Sequence, residues 1–186
     1  MLWLFKRPAT PPGSPPATID AIYGMIVAQA RLPVFYRDYG VPDTVNGRFD
    51  MIVLHLWMVL RRFRALGVED VPQALMDRFC SDLDGNLREM GVSDLTVPKR
   101  MLGFAGAFYG RSAAYDEAFA AGNEQLADAL ARNVLVSEDA SLAAPLAAYV
   151  RQAVDAIDTV DEAAMRSAAW SFAAPDARPA DAEAVS

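Results

Sequence analysis

Apolar residues recur along this chain at helical spacing, and they are densest between Met51 and Leu60, where His55 alone interrupts a series of hydrophobic side chains. A helix that is apolar on nearly every side must be surrounded by protein or lipid. Spanning a bilayer takes about 20 apolar residues, and Arg61 and Arg62 end this run well short of that. The pattern therefore predicts a central helix, around Phe49 to Phe63, with other helices packed about it. Upstream, Ile19, Ile22, Tyr23, Ile26, Val27 and Ala30 share one face of a helix that Thr18 can cap and Pro33 ends or kinks. Pro33 opens a short helix carrying Phe35, Tyr36 and Tyr39, with Gly40 as its stop. Asp43 or Thr44 caps the central helix and Gly67 closes it.

Downstream the same periodicity continues. Leu75, Phe79, Leu83, Leu87 and Met90 form a stripe that ends at Gly91. The next helix opens around Thr96 and Pro98 and contains Gly103, Gly106 and Gly110, each costing about 1 kcal/mol relative to alanine in a helix interior. Close approach of a neighbouring backbone is the expected compensation. A phosphate-binding loop is the weaker idea, because no apolar strand precedes these glycines and their spacing is not that of a dinucleotide fingerprint. Asn123 can cap a helix through Val136, and a helix from about Ser141 to Ile157 tolerates Pro145 only in its first turn. Thr159 with Glu162 fits a capping box for a last helix over Val160 to Phe172. No segment alternates as a strand does. The expected fold is all-α: one domain of about seven or eight helices over residues 18–173, preceded by an N-terminal segment and Pro-rich linker at 1–17 and followed by a disordered acidic tail at 174–186.

Composition narrows the chemistry. Of 186 residues, 53% are hydrophobic, enough for a substantial core, and Cys80 is the single cysteine, so no disulfide framework exists. The net charge of -7 is uneven: the N-terminal third is mildly basic and the C-terminal third strongly acidic, which disfavours nucleic acid at the acidic end. One histidine and one cysteine fall short of a metal site. His55, inside the most apolar run, reads first as a core imidazole and only secondarily as a haem or metal ligand. Cys80 reads as a small core residue in preference to a nucleophile. Acid pairs such as Asp82 with Asp84 look like solvated helix faces, and no DDxxD motif is present. These features favour a binding protein over an enzyme, with no catalytic residue, metal or cofactor expected.

Three patches stand out as contact surfaces. Arg61, Arg62 and Arg64 follow the central apolar run, where cations also favour a helix C-terminus. Lys99 and Arg100 lie in a helix first turn, where the dipole disfavours cations, so a charge-reading surface competes there with a merely solvated pair. Arg31 to Arg37 crowds arginines with Phe35 and Tyr36, residue types that anchor interfaces, although both rings can simply seal the core beneath the bend. At the N-terminus, Leu2, Trp3, Leu4 and Phe5 before Lys6 and Arg7 suit either a weak interfacial anchor or a loose or docked terminus.

The order of several short motifs carries more. Tyr23 to Ala30 (YGMIVAQA), Leu32 to Tyr36 (LPVFY), Gly40 to Phe49 (GVPDTVNGRF), the central helix, Asn86 to Gly91 (NLREMG), Asp94 to Arg100 (DLTVPKR) and Phe108 to Arg111 (FYGR) together resemble the ubiquinol–cytochrome c chaperone family over about Ile19 to Ala120. The resemblance implies a helical assembly factor for the cytochrome bc1 complex, respiratory complex III. Mitochondrial relatives act with a small partner protein on newly made cytochrome b, near the ribosome and the inner membrane. It implies binding without catalysis, with Lys99 and Arg100 as the first candidates for partner contact, followed by Arg48, Arg61, Arg62 and Arg64, and then Phe35 and Tyr36. Because the first residues lack the arginine- and serine-rich character of a transit peptide, a bacterial, cytoplasmic protein is expected, peripheral on the inner face of the membrane. The rival is a helical protein holding a lipid or quinone in a buried apolar pocket.

Overall fold

The computed structural model describes residues 15–176. The leading apolar segment, most of the Pro-rich linker and residues 177–186 of the acidic tail lie outside that range. Eight α-helices follow in order: α1 (Pro16–Ala30), α2 (Pro33–Asp38), α3 (Val45–Ala65), α4 (Asp70–Glu89), α5 (Val97–Ala121), α6 (Asn123–Leu130), α7 (Ala144–Asp158) and α8 (Glu162–Arg166). No strand occurs among the described residues, so the all-α expectation holds.

The central position belongs to α3, whose residues from Asp50 to Leu60 are buried without exception. Helices α1, α4, α5 and α7 pack against it. Its start is fixed locally: the Thr44 hydroxyl accepts a hydrogen bond from the Gly47 amide at 3.1 Å, satisfying one of the donors a helix start leaves open. Gly47 is needed there, because a Cβ at this position would lie 3.1 Å from the Pro42 carbonyl carbon and closer still to its oxygen. At the other end Gly67, with φ +71°, takes the left-handed conformation that closes the helix.

Several boundaries differ from the sequence expectation, each for a local reason. Helix α1 starts at Pro16, a residue preset for a first helical turn, so Thr18 lies inside the helix and caps nothing. Gly122 occupies the cap position expected for Asn123, and α6 runs into a π-helical turn, Ala131–Leu135, ended by Val136 in the left-handed region. Asp161 caps α8, its carboxylate accepting from the Ala164 amide at 2.8 Å, and the helix stops at Arg166 instead of continuing to Phe172. Beyond it the chain lies along the core as a non-helical strap. Phe172 meets His55 edge to face at 5.2 Å, Gln29 donates to the Ala173 carbonyl and Tyr39 donates to that of Asp176.

Around His55 the core is aromatic, and both nitrogens of the imidazole are hydrogen-bonded. The imidazole bonds the Met51 carbonyl through Nδ1 and the Tyr149 hydroxyl through Nε2, both at 2.8 Å. Phe35 stacks edge-on against Tyr149 and His55 at 4.9 and 5.5 Å. Burial holds the His55 pKa down at about 4, so the ring is neutral near pH 7. One stripe residue and the cysteine depart from expectation. Met90 is largely exposed at the end of α4, where Gly91 turns the chain away, and Cys80 is only partly buried.

Candidate functional site

Helix α5 presents two unlike faces. Val97, Phe108, Tyr115 and Ala118 are buried on the inner side. At 100° per residue, Lys99, Leu102, Gly103, Gly106, Tyr109, Gly110 and Ala113 share the opposite side, and all of them are exposed. Leu95, in the turn leading into α5, is 95% exposed, Leu102 75% and Tyr109 66%. A Cβ on Gly103, Gly106 or Gly110 would meet nothing within 4 Å. No element of the described chain approaches these glycines, which overturns the expected close packing of a neighbouring backbone. They form a smooth strip flanked by large apolar side chains.

Lys99 is exposed at the head of this face, and Arg100, also exposed, lies about 100° further round the helix. Neither has an ion pair or side-chain hydrogen bond among the described residues. They sit in the first turn of a 25-residue helix without an acidic neighbour in that turn, so both charges remain available to an anionic partner. The other expected contact residues are differently employed. Arg61 is bound to the Asp158 carboxylate at 2.9 Å, Arg62 donates to the Val160 carbonyl and Arg64 bonds Asp116 at 2.9 Å. This arginine group ties the end of α3 to α5, α7 and the segment before α8. Arg48 pairs with Asp43 at 2.7 Å on the surface. Phe35 is fully buried and offers no surface, whereas Tyr36 is half-buried and donates to the Ala30 carbonyl at 2.7 Å.

Beneath the exposed face, α5 is joined to α3 by a buried ion pair that the sequence reading missed. Arg111 Nη2 lies 2.9 Å from Asp50 Oδ1, and Asp50 is 3% exposed. Burial pushes the Asp50 carboxyl up to about 6, against the opposing pull of Arg111. The Tyr115 hydroxyl and the Arg111 Nε are buried beside this pair without a hydrogen-bond partner among the described residues, and Asp50 Oδ1 meets Arg111 as an ion pair without hydrogen-bond geometry. The available signal was a carboxylate adjoining the apolar run and an arginine on the α5 stripe between Phe108 and Tyr115.

Among the described residues no group of three or more His, Cys, Asp or Glu side chains is placed to hold a metal ion, and no helix is long and apolar enough to cross a membrane. What the surface offers is contact: an apolar strip with two free cations at one end.

Comparison with known proteins bears on which contact. The profile of the family described as Ubiquinol-cytochrome C chaperone matches residues 37–172. Ubiquinol-cytochrome-c reductase complex assembly factor 1 of Xenopus laevis is 28% identical over 144 residues, covering 75% of this chain and 72% of that protein. Protein CBP3, mitochondrial, of Saccharomyces cerevisiae is 35% identical over 105 residues, 54% of this chain and 31% of the yeast protein. The human assembly factor 1 is covered over 48% of its length. The crystal structure of the Cbp3 homolog from Brucella abortus matches with a TM-score of 0.75 at 37% identity, over 85% of this chain and 90% of that one.

Proposed function

Because the chain belongs to the ubiquinol-cytochrome C chaperone family, a family of bc1 complex assembly factors, we propose that it binds newly made cytochrome b and holds it during assembly, through the exposed face of α5. The observation that carries this reading is the juxtaposition of Leu95, Leu102 and Tyr109 with Lys99 and Arg100, all of them exposed, the Tyr109 ring also meeting Phe108 edge-on. An immature membrane protein exposes apolar helices bounded by polar loops. A strip of large apolar side chains and open glycines suits the helix surface, and two unpaired cations suit an acidic loop beside it. The role is holding and release, with no bond made or broken. A small helical partner protein and loose contact with the inner face of the membrane belong to the same proposal.

The test is a reduced-minus-oxidised spectrum of membranes from a strain lacking the gene, together with capture of cytochrome b on the tagged protein. Selective loss of the cytochrome b and c1 signals, restored by the wild-type chain but not by Lys99→Glu with Arg100→Glu, is the expected result. The charge-reversed protein should keep its helical circular dichroism and lose the captured cytochrome b. A spectrum identical to the parent's would remove the assembly role. Capture of cytochrome b unchanged by the double reversal would move the contact elsewhere.

A further inference from the structure

Two clefts meet at the start of α3, and Arg31 and Arg48 line both of them. The first, about 520 Å3, is basic, bounded by Arg31, Pro33, Tyr36, Arg37, Asp43 and Arg48. The second, about 330 Å3, runs between α1, α3, α4 and α5 over an apolar floor that includes Phe49, Ile52, Leu83 and Phe104, with Val45 and Met90 exposed at its rim and Asp82 and Glu89 also in its lining. Charge is concentrated where they join. Arg37 is paired with Asp38 and Arg48 with Asp43, but the Arg31 guanidinium has no ion pair or hydrogen bond among the described residues. The junction also lies at the N-terminal end of the 21-residue α3, where the helix dipole adds to the positive potential.

We propose that this double cleft seats one anionic phospholipid, its phosphodiester between Arg31 and Arg48 and one acyl chain along the apolar slot toward Phe104. Within the first cleft, with Arg37 paired to Asp38 and Arg48 to Asp43, Arg31 leaves a surplus of one positive charge, which a phosphodiester monoanion matches, while Asp82 and Glu89 line the second cleft. A guanidinium presents its donors as a planar fork suited to phosphate oxygens. The slot favours a hydrocarbon chain over a polypeptide. An α-helix about 10 Å across displaces roughly 120 Å3 per residue, so the slot takes less than three residues of helix. An extended peptide would bring amide groups that need hydrogen-bond partners, whereas the floor consists largely of rings and aliphatic side chains. An acyl chain needs none. Seating such a lipid tethers the protein to a membrane without a spanning helix, by a surface other than the exposed face of α5.

Titration calorimetry with dihexanoyl phosphatidylglycerol below its micelle concentration tests the assignment on the full chain. Saturable one-to-one binding is expected, with dihexanoyl phosphatidylcholine about tenfold or more weaker, because its quaternary ammonium brings a like charge to the arginines beside the same phosphodiester, and with glycerol phosphate, which lacks the chains, showing none. Arg31→Gln should weaken phosphatidylglycerol binding about tenfold. Val45→Asp, a substitution that a helix first turn accepts, should do the same by placing an acid at the slot's rim. Lys99→Glu with Arg100→Glu should bind the lipid as the wild type does, and Arg31→Gln should still capture cytochrome b, so this proposal and the assembly proposal can fail separately. Equal affinity for the two lipids, glycerol phosphate binding as tightly as the lipid, or an unchanged Arg31→Gln would overturn it. Tighter saturable binding of an acidic amphipathic peptide at the same residues would assign the cleft to a polypeptide instead.

Discussion

Replacing Asp50 by asparagine should uncover an acid-labile slope in stability that the wild-type protein conceals. Two buried groups titrate abnormally and in opposite senses. His55 is held neutral by burial, its pKa lowered from 6.5 to about 4. The folded state then binds fewer protons than the unfolded one, so the contribution is fully present above pH 6.5 and is lost as pH falls through about 4. Asp50 is shifted upward from 3.8 to about 6. There the folded state binds more protons, so the contribution is greatest below pH 3.8 and is lost as pH rises through about 6. At about 1.4 kcal/mol per pKa unit, each amounts to about 3 kcal/mol. Over the shared window, roughly pH 4 to 6, the slopes oppose each other and nearly cancel.

Asparagine keeps the size of the side chain and removes its titration. Urea unfolding at half-unit steps from pH 4 to 7.5, analysed by linear extrapolation, should show the wild-type minus Asp50→Asn stability difference falling by about 3 kcal/mol across the window. The pull of Arg111 is already contained in the folded-state pKa of Asp50, so the Asp50 proton uptake alone sets the sign of the change across the window. Other acids, such as Asp70 with its pKa lowered by Arg166, occur in both proteins and drop out of the difference. Parallel profiles would refute the reasoning, because they would mean that Asp50 binds protons equally in the folded and unfolded chains.

Gly47→Ala should destabilise the fold by about 3 kcal/mol, read from the urea midpoint, because its Cβ would be forced against the Pro42 backbone. Gly106→Ala should act oppositely, stabilising by about 1 kcal/mol through helix propensity, since nothing lies within 4 Å of the new methyl. The same variant should capture less cytochrome b if the open strip is the client contact. Thr44→Ala should cost about 1 kcal/mol by removing the α3 cap, again measured by urea unfolding.

The elements legible in the sequence were those marked by strong local signals. Met51 to Leu60 could only be a buried helix, and Gly40, Gly67 and Gly91 end helices where their positive φ is required. What escaped was decided by partners distant in sequence. The chain after Arg166 carries a helix-compatible pattern, yet Phe172 reaches His55 and the Ala173 carbonyl reaches Gln29 only as an extended strap. Packing against α1 and α3 outweighs propensity there. The Asp50–Arg111 pair joins residues 61 positions apart, which no local spacing reveals. For the candidate surface, Lys99 and Arg100 were noticeable because they sit at the wrong end of a helix dipole. The glycines misled, because a close neighbour within the chain is the usual compensation for so many, and among the described residues none exists.

That absence bears on how α5 is used. Three exposed glycines in one helix forgo about 3 kcal/mol relative to alanine, and alanine would meet no obstacle at any of the three. The helix also carries two cations where the dipole repels them and anchors itself through a buried charge pair beside unsatisfied polar atoms, an arrangement that well-packed apolar residues often match or exceed in stability. Folding alone therefore supplies no reason for these choices, and each is readily improved by substitution. They concentrate on α5, whereas α3 is capped at its start by Thr44 and departs from apolar burial only at Asp50 and His55. Local rules broken together on one exposed element are expected where a contact outside the chain sets the sequence. A client helix lying along Gly103 to Gly110 would supply the close approach that the chain itself does not, and the stabilised Gly106→Ala protein separates the two demands: more stable when alone, weaker with its client.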